Sequence, residues 1–256
     1  LDDFKTVVSQ KTDAKSVPNA RSVSANVPIY HAGDIAAMDE TGLRNVMAEW
    51  ANVLMHGAGI IVVEKMMASD VMDRATQLFT QMIDDEKAAG AVVTDHFAKP
   101  GSNDRVWNAL EKHCIADPEG FALYYGNPVM SAVCTAWLGP AYQITAQVNR
   151  VNPGGKAQAA HRDYHLGFMS PETIAQYPSH IHTVSPVLTL QGALAHVDMP
   201  VEAGPTMYLP FSQQYFEGYL AFERPEFQEY FQENYVQMAL KKGDGVFFNP
   251  ALIHGA

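Results

Sequence analysis

Apolar residues at Ile35, Met38, Leu43, Val46, Trp50 and Leu54 recur at helical spacing behind Asp34, a candidate N-cap. They predict one helix that stops at His56-Gly57-Ala58-Gly59. Ile60-Ile61-Val62-Val63 is short and β-branched and predicts a buried strand. Ser69-Asp70 then caps a second helix through Val71, Met72, Ala75, Leu78, Phe79 and Met82, which frays in Asp84-Asp85-Glu86-Lys87. From residue 90 the chain changes character, and Gly and Pro punctuate short segments. One helix is expected over 127–138, ended by Gly139-Pro140. Strands are expected over Tyr142–Val151, Val187–Val197, Met207–Leu209 and Val246–Asn249. Alternation along the first puts Gln147 and Asn149 on one face and Val148 and Arg150 on the other. Several short strands separated by turns read as a sandwich or barrel, so the chain is expected to be mainly β with packed helices.

Two segments stand outside that pattern. Residues 1–28 are polar and carry two prolines, which predicts a loosely docked arm ahead of one domain over 29–256. Residues 213–236 are dense in Tyr, Phe and Glu and predict a helical insertion at the barrel rim, a lid or a homo-oligomer contact rather than a core element.

Composition narrows the partners. With 256 residues and 47% apolar content, the chain can bury a sizeable core. No uninterrupted apolar run is long enough to span a bilayer. A net charge of −11 without a basic patch argues against nucleic acid. Two cysteines, Cys114 and Cys134, give neither a disulfide framework nor a Cys-rich zinc site, and they suit a reducing cytoplasm. No leader pattern is visible, and a start at Leu1 predicts that the natural N-terminus lies upstream.

The candidate chemistry lies in His161-Arg162-Asp163. In an extended segment residues i and i+2 share a side, so His161 and Asp163 converge while Arg162 points away. Ile253-His254-Gly255 offers a third ligand. Two imidazoles and one carboxylate on one face of a metal leave open positions, the pattern expected of non-haem Fe(II) chemistry with oxygen. On its own the triplet is weak, because short H-x-D strings occur by chance.

The surrounding motifs sharpen it. His161-Arg162-Asp163-Tyr164-His165 is followed by Gly204-Pro205-Thr206-Met207-Tyr208-Leu209-Pro210-Phe211-Ser212. Gly243-Asp244-Gly245-Val246-Phe247-Phe248-Asn249-Pro250-Ala251-Leu252-Ile253-His254-Gly255 comes last. Together with Gly59–Val63 and Ser69-Asp70-Val71, these segments resemble the phytanoyl-CoA dioxygenase family of Fe(II)/2-oxoglutarate oxygenases from about residue 55 to 256. The resemblance implies a double-stranded β-helix, a jelly roll of eight strands with N-terminal helices on one sheet. It implies Fe(II), 2-oxoglutarate and O2 as cofactor and cosubstrates, with 2-oxoglutarate decarboxylated to succinate while a small or medium-sized organic substrate is oxidised. His161, Asp163 and His254 would then be the metal ligands. Gln147, Asn149, Gln191 and Arg105 are cosubstrate candidates, although Arg105 reads first as a surface salt-bridge residue. Tyr164, His165 and Phe168 adjoin the triplet and are candidate walls of the substrate pocket. His180 and His182 are expected at the surface.

Two departures matter. The family's P-G-S-H turn reads Pro210-Phe211-Ser212-Gln213, a change to a turn rather than to the metal ligands. The carboxylate is kept as Asp163, whereas halogenating relatives have a small residue there, so hydroxylation is the expected outcome. In relatives an arginine about ten residues after the last His anchors the cosubstrate's distal carboxylate, because an unpaired buried charge is costly. The sequence stops two residues after His254 and of its seven arginines only Arg105 is a plausible substitute. The natural chain is therefore expected to continue with a strand carrying that arginine. A zinc hydrolase with the same three ligands, or a non-catalytic ligand-binding relative, are the alternatives. The first lacks a spare carboxylate near 157–170 to act as base. The second would hold no iron.

Overall fold

The computed structural model describes residues 1–89, 103–155, 157–163 and 169–256. Its helices, in chain order, are α1 (Asp2–Val8), α2 (Ala32–Ala36), α3 (Glu40–His56), α4 (Ser69–Ala88), α5 (Ala109–Ala116), α6 (Pro118–Tyr125), α7 (Pro128–Leu138), α8 (Pro171–Ile174), α9 (Ser185–Leu188), α10 (Gly218–Ala221) and α11 (Pro225–Asn234). Its strands are β1 (Ser22–Ser24), β2 (Val27–His31), β3 (Ile60–Glu64), β4 (Asn103–Val106), β5 (Val148–Val151), β6 (Gln191–Leu194), β7 (Met207–Tyr208), β8 (Val236–Gln237), β9 (Gly245–Phe248) and β10 (His254–Gly255). A five-stranded sheet runs β1-β2-β3-β9-β6, a three-stranded sheet β10-β7-β8, and β4 pairs with β5. The β2–β3 pair is parallel, joined through α2 and α3, and the other pairs are antiparallel.

Strand alternation sorts the side chains into layers. On β3, Ile61 and Val63 face α3 and α7, joining Trp50, Val53, Val129 and Val133 in one core. Ile60 and Val62 face the other way and meet Tyr208 of the three-stranded sheet. Phe247 and Phe248 of β9 divide in the same manner. Within the three-stranded sheet Met207 and Leu209 point outward, onto Phe227 and Phe231 of α11 and Phe4 of α1. The order is therefore helices, large sheet, small sheet, helix α11. Each large apolar side chain taken out of water stabilises the stack by about 1.5–3 kcal/mol.

Several expectations are corrected. Helices hold more of the described residues than strands, so the fold is mixed helix and strand rather than mainly β. Residues 1–28 are not a loose arm. Phe4 is fully buried, with its ring 4.9 Å from Phe227 and 5.3 Å from Tyr215. Buried Glu49 ties the same segment to α3, accepting hydrogen bonds from Asn19 Nδ2 at 2.6 Å and Tyr30 OH at 2.8 Å. The first predicted helix is two: Asp39 Oδ1 accepts from Gly42 N at 2.7 Å and starts α3 afresh, while Asp34 lies inside α2 and pairs with Arg21. Ser69 is the first residue of α4, whose cap position is Ala68. Among the described residues the two long predicted strands shrink to β5 and β6, each paired over four residues, with β4 and β9 respectively. Residues 213–236 do contain helices, but α11 buries Phe227 and Phe231 and is a core element, not a lid. Among the described residues no helix is long and apolar enough to cross a membrane.

Candidate metal centre

The end of the chain and the H-x-D segment are laced together by backbone. His161 N donates to His254 O at 2.8 Å, His254 N donates back to His161 O at 2.9 Å, and Asp163 N donates to Pro250 O at 3.0 Å. This isolated antiparallel bridge sets the two histidines side by side, with ring centroids 4.5 Å apart. One ligand atom each from His161, Asp163 and His254 lies within 4.8 Å of the others. The placing of His254 depends on the turn before it. Ser212 Oγ accepts from Ile253 N at 2.8 Å, and Asn249 fastens that turn to Leu54 O and Ala251 N. Asp244 of the Gly243-Asp244 motif is a turn lock, accepting from Lys65 N at 2.8 Å and Lys241 N at 2.7 Å.

The protons decide what this trio can hold. His161 Nδ1 lies 2.9 Å from Ala159 O and His254 Nδ1 lies 2.8 Å from Leu252 O. A carbonyl only accepts, so each Nδ1 carries a proton, and each ring in its neutral form keeps its lone pair on Nε2. In that form His254 Nε2, 3.3 Å from Asp163 Oδ2, turns a lone pair toward the carboxylate. A cation placed between them resolves that contact, and two imidazoles with one carboxylate fit a divalent metal with open positions. Burial, and then the neighbouring His254, hold His161 below the ordinary histidine range, which favours the neutral ligand form. Burial alone would raise the Asp163 carboxyl, but the adjoining His254 ring, the hydrogen bond from Gln191 and then His161 outweigh it and hold Asp163 below the usual range. Gln191 Nε2 donates to Asp163 Oδ2, which puts this cosubstrate candidate against the trio.

The other candidates separate. Arg105 is not at the surface: it is 5% exposed, donates from Nη1 to Gln147 Oε1 at 3.2 Å and lies 5.4 Å from the Trp107 ring. Asn149 is its cross-strand partner on β5, so Arg105, Gln147 and Asn149 form one polar group. Tyr164, His165 and Phe168 lie outside the described residues. His182 is buried rather than at the surface, since its ring stacks on Tyr219 at 4.0 Å. Phe248, its ring 4.8 Å from that of His254, is a contact the sequence reading missed, although alternation along β9 carries the signal. Phe211 stands where the family motif has Gly and adopts a left-handed conformation, φ 70°, of the kind that glycine takes without strain.

The family model described as phytanoyl-CoA dioxygenase (PhyH) matches residues 55–256. The chain belongs to the phytanoyl-CoA dioxygenase family. Membership supports a dioxygenase-type enzyme. Among solved structures, hypothetical protein JW0805 from Escherichia coli at high pH is similar over 99% of this chain and 72% of its own, with 15% identity and a TM-score of 0.56. The non-heme alpha ketoglutarate dependent carbocyclase SnoK from nogalamycin biosynthesis is similar over 86% of this chain and 78% of its own, with 15% identity and a TM-score of 0.55. At these identities the likeness is one of fold. No curated protein matches the sequence.

Proposed function

We propose that this chain is an Fe(II)/2-oxoglutarate-dependent oxygenase that hydroxylates a small or medium-sized organic substrate in the cytoplasm. The observation that carries the reading is the convergence of His254 Nε2 and Asp163 Oδ2, 3.3 Å apart, with His161, in a chain of this family. His161 and His254 are the neutral ligands and Asp163 the anionic one. Fe(II), with 2-oxoglutarate and O2, would supply the oxidising chemistry at this trio. The chain's own residues do the rest. The carbonyls of Ala159 and Leu252 hold the imidazole tautomers. Gln191 fixes the orientation of the Asp163 carboxylate by donating to it. The buried guanidinium of Arg105, with Gln147 and Asn149, is the candidate partner for a cosubstrate carboxylate, whose two oxygens match its planar fork. Tyr164, His165 and Phe168 follow the ligand triplet in sequence and are assigned to the substrate wall. In this reading the large and small sheets are the two faces of a jelly roll, with the trio at one end. Asp163 occupies the position that is small in halogenating relatives, which favours hydroxylation.

The test is succinate production from 2-oxoglutarate by the purified protein with Fe(II) under air, across a panel of candidate substrates. Turnover that depends on Fe(II) and vanishes in Asp163→Ala supports the reading. Succinate formation unchanged in Asp163→Ala refutes it.

A further inference from the structure

Arg162 lies between two of the ligand residues and points away from them into the protein, where it is 7% exposed. Its Nε donates to Ala251 O and its Nη2 to Gln213 O at 3.4 Å. Among the described residues no carboxylate pairs with it. A buried cation without a counter-ion is costly, and a fold that needed only a tie at this point is served by a neutral donor. The acceptors explain the choice. Ala251 belongs to the turn that delivers His254, and the same turn gives its Pro250 carbonyl to Asp163 N. Gln213 is itself fixed, its Nε2 donating to Gly57 O at 2.8 Å. A planar fork can reach both carbonyls at once, which a point-like ammonium does less well. The pocket is also shaped to the guanidinium: a Cβ at Gly218 of α10 would strike Arg162 Nη1 and lie 3.0 Å from Cζ.

We propose that Arg162 is a positioning residue for the metal ligands, its guanidinium clamping the Ala251 turn and thereby fixing His254 against His161 and Asp163. This rests on the reading of the trio as a metal site. It also couples α10 to that site, because Gly218 leaves the room in which the clamp closes.

The test is Co(II) binding to the full chain, followed by titration calorimetry and by the visible absorption of the bound ion, an air-stable probe that needs no turnover. Arg162→Lys keeps the charge and loses the fork. Gly218→Ala keeps both and displaces the guanidinium. Supporting contacts of this kind are worth about 10–100-fold in metal affinity. Arg162→Lys is expected to weaken Co(II) binding at least about tenfold and to alter its spectrum, and Gly218→Ala to shift both in the same direction. Melting curves identify the folded fraction. If Arg162→Lys is folded and binds Co(II) with wild-type affinity and spectrum, Arg162 is only a structural tie and the proposal is overturned. If Arg162→Lys does not fold, Gly218→Ala alone decides in the same way. A wild-type chain that binds no Co(II) overturns the metal-site reading itself, a result distinct from the loss of a difference between variants.

Discussion

Acid acts on this fold through His196. Thr76 Oγ1 donates its only proton to Met72 O at 2.7 Å, so His196 Nδ1, 2.7 Å from Thr76 Oγ1, is the donor in that contact. The other ring nitrogen, Nε2, then accepts from Tyr124 OH at 3.0 Å. A second proton on the ring would displace the Tyr124 hydrogen bond and place charge beside Phe79, whose ring is 5.8 Å away. Burial first, and His113 second, push His196 from the ordinary 6.5 down to about 4. At about 1.4 kcal/mol for each pH unit, that gap makes the neutral ring worth up to about 3 kcal/mol. The sign follows from which state binds the proton. Above pH 6.5 the ring is neutral folded and unfolded, and the contribution is complete. Between 6.5 and about 4 the unfolded chain takes up a proton that the folded chain refuses, so stability falls with pH. His113 adds in the same direction: it is fully buried with neither ring nitrogen bonded, and burial holds it below the ordinary range. The assay is urea unfolding at about pH 7 and about pH 4.5, for wild type and for His196→Gln, whose amide can both donate and accept without titrating. Carboxylates contribute equally to both proteins and cancel. The expected result is a smaller acid loss in the variant, by about 2–3 kcal/mol. Equal losses in the two proteins would refute the argument.

Three further outcomes follow from packing. Phe4→Ala removes a fully buried ring from the α1–α11 contact and is expected to lower stability by about 3–5 kcal/mol; a change under about 1 kcal/mol would mean that residues 1–28 are loosely attached after all. Phe211→Gly relieves a left-handed backbone worth about 1–2 kcal/mol but deletes a buried ring worth about 3–5, so thermal melting should show net destabilisation, and a stabilised variant would contradict that balance. Ser212→Ala leaves Ile253 N–H without its acceptor next to His254, with an expected loss of about 1–3 kcal/mol in urea unfolding; an unchanged midpoint would show that another acceptor takes over.

The layers were legible where period and length agreed. Ile60–Val63 read as a buried strand, and Asn127 to Leu138 read as a helix ended by Gly139, because local pattern and tertiary role coincide there. The H-x-D side rule brought His161 and Asp163 to one side, and His254 joins them through a backbone bridge that sequence motifs anticipated without geometry. What stayed hidden depended on partners. Nothing in Tyr142–Val151 announces that its pairing with β4 starts only at Val148, opposite Val106, and nothing in the polar first 28 residues shows that Phe4 has an aromatic pocket on α11. The lid expectation failed for the same reason, since aromatic density does not say which face of α11 meets Met207 and Leu209. Arg162 was read as pointing away from the ligands, but only the fold shows what it holds there.

The central claim is that His161, Asp163 and His254 form one metal site. Anaerobic titration of the purified chain with Fe(II) tests it most directly. The account predicts one saturable site per chain, weakened severely by Asp163→Ala and by His254→Ala in variants that remain folded. Saturable binding that persists unchanged in both variants, or no saturable binding to the wild-type chain, would contradict it.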